Sequence, residues 1–182
     1  MKAVDFLTRV MIVVLSSLMV ACIGLSLIAR RSGPPGEITD LTRYEEIRES
    51  YEDSILVRHF PEEVPENATN AEMYYLPKFL QGGEQFQLRL QLPEREVTEL
   101  HARFDALAGK RYAGGENVYW EPEVPRLHVG GSKDSSWPGS YEILVLDAQP
   151  AGSAESEWNH GYSYGVGVDK SALEVVYWCE FW

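Results

Sequence analysis

Residues Val10 to Ala29 read VMIVVLSSLMVACIGLSLIA, a run without a single charge that Arg30 and Arg31 end sharply. At about 1.5 Å per helical residue, such a run spans a hydrocarbon core of about 30 Å. It divides the chain into an expected anchor over 1–31, with a transmembrane helix at 10–29, and a polar remainder. Ser32-Gly33-Pro34-Pro35-Gly36 opens a stalk over 32–39, because Gly and Pro break any helix there. Residues 40–182 are then expected to form a single globular domain.

Two alternatives to a retained helix stay open. Lys2 and Arg9 make a basic start like that of a secretory signal, and Leu18-Met19-Val20-Ala21-Cys22 looks like a lipobox, which would make Cys22 a lipidation site. Seven of the eight residues from Cys22 to Ala29 are apolar or Gly, where a lipoprotein normally turns polar. A plain cleaved signal is the other alternative. Basic residues flank the run on both sides, so charge alone does not orient it. The signal-like start favours a single-pass protein with its domain outside the cytoplasm.

The chain holds 16 Lys and Arg against 28 Asp and Glu, a formal charge of −12. Four of the bases, Lys2, Arg9, Arg30 and Arg31, lie around the apolar run, so the domain is more acidic still. Such a surface repels phosphate backbones and anionic lipid, and nucleic acid is not an expected partner. The only cysteines are Cys22 and Cys179, which form neither a disulfide framework nor a zinc spacing. Cys179 sits in an apolar strand pattern and reads as a small buried hydrophobe.

Periodicity predicts an α+β fold: a mainly antiparallel sheet of about five strands with one helix packed on a face. Asp40 is placed to cap a short helix over Leu41–Tyr51. Ile55–Val57 is expected to start a strand, with loop from Phe60 to Asn70. Glu72–Leu76 and Glu84–Leu92 read as a hairpin. In the second, Phe86, Leu88 and Leu90 alternate with Gln85, Gln87, Arg89 and Gln91, implying one buried and one wet face. Pro93 suits the first turn of a helix over Glu94–Ala108, with His101 on its apolar side and Gly109 as its stop. Lys110–Ser140 is rich in Gly and Pro and reads as irregular, with a short strand expected near Leu127–Val129. Tyr141–Leu146 is apolar on both sides, which suggests a central strand.

The last segment reads as a hairpin turning at Asp169–Ala172. That loop would set Val168 opposite Leu173 and Tyr164 opposite Tyr177. Ser163, Gly165 and Gly167 leave one side of their strand nearly bare, and a tryptophan at Trp178 is expected to lie across Gly165.

No catalytic constellation emerges. The histidines, His59, His101, His128 and His160, make no metal-binding pair, and no metal or cofactor is expected. The most site-like cluster is Trp158-Asn159-His160-Gly161-Tyr162, where a loop meets a strand and a titratable ring stands among amide and aromatic groups. His59, Trp158, Asn159 and His160 are the candidate binding residues, although turn chemistry and packing also account for these residue types.

Three stretches carry a resemblance: His59-Phe60-Pro61-Glu62-Glu63-Val64-Pro65, Phe79-Leu80-Gln81-Gly82-Gly83 leading into Leu88-Arg89-Leu90, and Trp158 to Gly165. Together they resemble an uncharacterised family of small bacterial envelope proteins, several of which begin with lipoprotein signals. The resemblance implies a bacterial source and an outward-facing domain. It supplies no activity and no functional residue. The expected function is a non-enzymatic, membrane-tethered envelope module that binds a protein or glycan partner. The alternative is a tethered hydrolase using His160 or His59 with a nearby carboxylate, and a deep pocket holding both histidines would mark it.

Overall fold

The strand with the sharpest alternation, β2 (Glu84–Gln91), lies inside an antiparallel sheet in the computed structural model. The structure describes residues 36–52, 54–79, 82–115, 118, 121–130, 135–150 and 160–182. Phe86, Leu88 and Leu90 are withdrawn completely from solvent on one face. Burial of each contributes about 1.5–3 kcal/mol. On one side β2 pairs with β1 (Thr69–Leu76), setting Met73 opposite Leu88 and Tyr75 opposite Phe86.

The other strands are β3 (Lys110–Ala113), β4 (Glu142–Pro150), β5 (Gly161–Asp169) and β6 (Glu174–Phe181). The order across the sheet is β1-β2-β6-β5-β4-β3, with every neighbour antiparallel. Among the described residues the sheet therefore has six strands, against an expectation of about five. The unforeseen strand is β3, a short edge of mostly exposed residues inside the Gly- and Pro-rich stretch. β4 is buried on both faces at Ile143, Leu144 and Val145, as its composition implied, but only β3 separates it from the sheet edge. Leu127–Val129 forms no strand.

Two short helices cover one face. A 3-10 turn at Leu41–Arg43, capped by the Asp40 carboxylate accepting from the Thr42 amide at 3.1 Å, leads into α1 (Tyr44–Ser50). Tyr44 and Ile47, three residues apart, enter the core. α2 (Glu94–Asp105) starts at Glu94 as expected, with Pro93 as its cap rather than in its first turn, and ends three residues before Ala108. Glu94 and Glu96 sit at its positive end. Val97 and Phe104, two turns apart, are both buried against the sheet. His101 on α2 reaches β4, with Nε2 2.6 Å from the Glu142 carboxylate. Ile55–Val57 is a 3-10 turn rather than a strand, because the Ser54 hydroxyl accepts from the Leu56 amide and closes the chain locally.

The opposite face carries irregular chain. Val118, Val124, Leu127, Val129 and Trp137 form a second core with Tyr74, Ile143, Val145, Val176 and Trp178. The expected wet face of β2 is thus covered. Gln87 is 1% exposed: its amide donates to the Arg126 carbonyl at 2.6 Å and accepts from the His128 amide at 2.8 Å. Two backbone groups of the covering segment are satisfied by one strand side chain, which is why a polar residue is tolerated there. Nearby, Arg89 bridges Glu72 and Glu174, and Tyr141 donates to Glu174 at 2.6 Å.

The strand glycines mark where this cover lies closest. A Cβ on Gly165 would stand 2.5 Å from the outer ring of Trp178, and one on Gly167 would clash with the Trp137 indole. Trp178 does lie across Gly165, but the register differs by two residues from expectation. Val168 faces Val175, Tyr164 faces Cys179 and Gly165 faces Trp178 directly. A shift of two keeps every side chain on its expected face.

Residues 35–182 form one packed unit. No helix among the described residues is long and apolar enough to cross a membrane. The expected span 10–29 and Cys22 lie outside the described residues.

Candidate functional site

Two clefts of about 400 Å³ each open on the two faces of the sheet. The loop-side cleft is built on the ends of β2 and β6. Gln85 and Glu180 are Cα partners and project to the same side, where the Gln85 amide donates to the Glu180 carboxylate at 2.5 Å. Trp182 follows β6 and is fastened by a pair of backbone bonds with Gly161, at 2.8 and 3.0 Å. Val124, Pro125 and Trp137 supply apolar wall, and Glu121, Arg126 and Ser136 supply polar groups. Burial pushes the Glu180 carboxyl above its usual range, against the opposing pull of the Gln85 amide. Beyond Glu180, its β5 partner Ser163 is fully buried, and the Ser163 hydroxyl has no hydrogen-bond partner among the described residues. A row of amide, carboxyl and hydroxyl therefore crosses three strands beneath an aromatic rim.

The helix-side cleft lies between α2 and the segment that leads from Arg58 to Pro65. Phe60, Pro61, Leu100, Phe104 and Tyr177 give it apolar walls, and His59 forms part of its lining. His59 is 9% exposed, with Nε2 3.0 Å from the Gly165 carbonyl and 3.1 Å from the Trp178 carbonyl. Carbonyl oxygens only accept, so Nε2 carries the ring proton and Nδ1 is a bare acceptor. Burial depresses the His59 pKa to about 3, outweighing the two carbonyls that favour the charged ring. Its edge packs on the Phe60 and Phe104 rings, with centroids at 4.7 and 6.4 Å.

Of the four candidate residues, two are described. His59 lies on the helix side. His160 is exposed in the turn before β5, whereas Trp158 and Asn159 lie outside the described residues. His59 lines the helix-side cleft, and His160 lines neither of the two clefts. Among the described residues, no group of acidic, Cys and His side chains is arranged to hold a metal ion. Glu180, Gln85 and Trp182 were not singled out from the sequence. Their one sequence signal is the run of neutral amides at Gln85, Gln87 and Gln91, where an open strand face would more often carry charge.

Comparison with known protein families, with characterised proteins and with solved structures finds no match for this chain. The site's own chemistry must carry any functional reading.

Proposed function

We propose that the domain is a non-enzymatic binding module of a bacterial cell envelope, tethered through the 10–29 helix with its soluble part outside the cytoplasm. Its recognition site is the loop-side cleft, and its ligand is a hydroxyl-rich molecule such as a glycan. The observation that carries this reading is the Gln85–Glu180 pair beside Trp182. An amide and a carboxyl held side by side present donors and acceptors at the spacing of neighbouring hydroxyls, and an indole offers an apolar face for a sugar ring. The open, partly apolar cleft with a few convergent polar groups is the usual form of a small-ligand site. The reading also accommodates the acidic surface, since an uncharged sugar is indifferent to it.

The test is titration of the full chain with a panel of soluble oligosaccharides, followed by calorimetry. At least one should bind, and Glu180→Leu and Trp182→Ala should each weaken it tenfold or more with the thermal midpoint little changed. Turnover of a bound saccharide would overturn the non-enzymatic reading. Binding that survives both substitutions would remove the loop-side cleft from it.

A further inference from the structure

The helix-side cleft poses a separate chemical problem. His59 Nε2 is committed to two carbonyls of the sheet, which leaves Nδ1 as the ring's second polar atom. Nδ1 is buried and has no hydrogen-bond partner among the described residues. A buried acceptor without a donor costs about 1–3 kcal/mol, and native structures rarely leave one so. A charged ring would answer the lone pair with a proton, but burial holds this one neutral. His59 is part of the cleft lining, so a ligand that enters the cleft can supply the missing donor.

The walls indicate what that is. Aromatic rings from Phe60, Phe104 and Tyr177 surround His59, and Leu100 and Pro61 complete an apolar surface. Arg103, on the exposed side of α2, lays its guanidinium 5.0 Å from the centre of the Phe104 ring. That long, exposed side chain is one that can swing aside without disturbing the core. The other charged lining groups are Arg58, Glu96 and Glu99, so the lip carries both signs and selects for neither.

We propose that the helix-side cleft is a second binding site, independent of the loop-side one, for a flat apolar ring molecule bearing one N–H or O–H donor that is received by His59 Nδ1. The apolar walls provide the drive for entry, and the single acceptor provides orientation and selectivity. A site built around one buried acceptor discriminates strongly against an analogue lacking the donor, because the acceptor is then sealed off unpaired.

Indole and benzofuran test this directly, since they share a shape and differ in the one donor. Binding to the full chain is measured by calorimetry, together with the nitrogen chemical shift of His59 Nδ1. Indole should bind about tenfold more tightly than benzofuran, the factor expected of one hydrogen bond to a buried acceptor. It should also move the Nδ1 resonance in the direction of hydrogen-bond acceptance, whereas benzofuran should leave it in place. His59→Phe should equalise the two affinities. Should that variant fail to fold, Leu100→Trp at the cleft wall should abolish both while sparing the fold. Equal affinities for the two molecules in the unmodified chain would overturn the proposal, as would indole binding that leaves the His59 resonance unmoved.

Discussion

The two faces of the sheet are covered by different means. On the helix side, regular elements present apolar stripes: Tyr44 and Ile47 from α1, and Val97 and Phe104 from α2. On the loop side, irregular chain is held by individual polar clamps and by the Trp137 indole lying on Gly167. Removing one contact should therefore have different consequences on the two faces. A helical stripe is one cooperative surface, so its loss is felt throughout the domain. A clamped loop can loosen locally while the sheet persists.

The largest effect is expected at Phe104, which is 1% exposed between α2 and the sheet. Phe104→Ala should lower global stability by about 3–5 kcal/mol in urea unfolding, with a single transition. A local loss confined to α2 would erase the contrast between the faces.

Next in size is the response to acid, again on the helix side. The His59 pKa is near 3 in the fold against an ordinary value of 6.5. Between those values the unfolded chain binds the additional proton, so stability falls as pH drops from about 6.5 and the loss levels off near 3. The slope from this one ring is at most about 1.4 kcal/mol per pH unit. Urea midpoints at pH 7, 5 and 4 measure it, and His59→Gln should flatten the profile. An unchanged profile in that variant would show that His59 charges without cost.

Gly165→Val sharpens the loop-side account. Its side chain would meet both the Trp178 ring and the Leu144 carbonyl, and overpacking of this kind costs about 1–3 kcal/mol. A variant of normal stability that loses a ligand would instead mark the bare strip as a groove. Gln87→Ala is the local counterpart. It strips partners from the Arg126 carbonyl and the His128 amide, and should speed hydrogen exchange at His128 and Gly130 while leaving the α2 amides unaffected. The smallest effect belongs to Arg95→Ala. Arg95 and Glu99 form an exposed pair on α2, and no resolvable change in midpoint is expected.

What the sequence disclosed follows the same division. Spacing located α1, α2 and the helix-side residues of β2, because regular elements repeat at periods that a linear reading detects. Glycines 165 and 167 revealed that something large must cover them. The loop-side cover itself was not legible: its contacts join Gln87 to residues 39 and 41 positions away, with no period to betray them. Local side-chain chemistry caused the other misses. Asp169 stays in the strand because its carboxylate accepts from the Ser171 and Ala172 amides, at 2.9 and 3.0 Å. The turn then falls one residue later and Asp169 pairs with Glu174, which moves the hairpin register by two. At Ile55 the Ser54 cap outweighed β-propensity. His59 was singled out by residue type, but the commitment of its Nε2 depends on carbonyls more than a hundred positions away.

The most direct test of the division of labour between the faces is a side-by-side titration with one bound oligosaccharide. It compares the unmodified full chain, Trp182→Ala on the loop side and Leu100→Trp on the helix side. Trp182→Ala should lose at least tenfold in affinity while Leu100→Trp retains the unmodified value. Saccharide binding that survives Trp182→Ala and is lost in Leu100→Trp would contradict the assignment of recognition to the loop-side cleft.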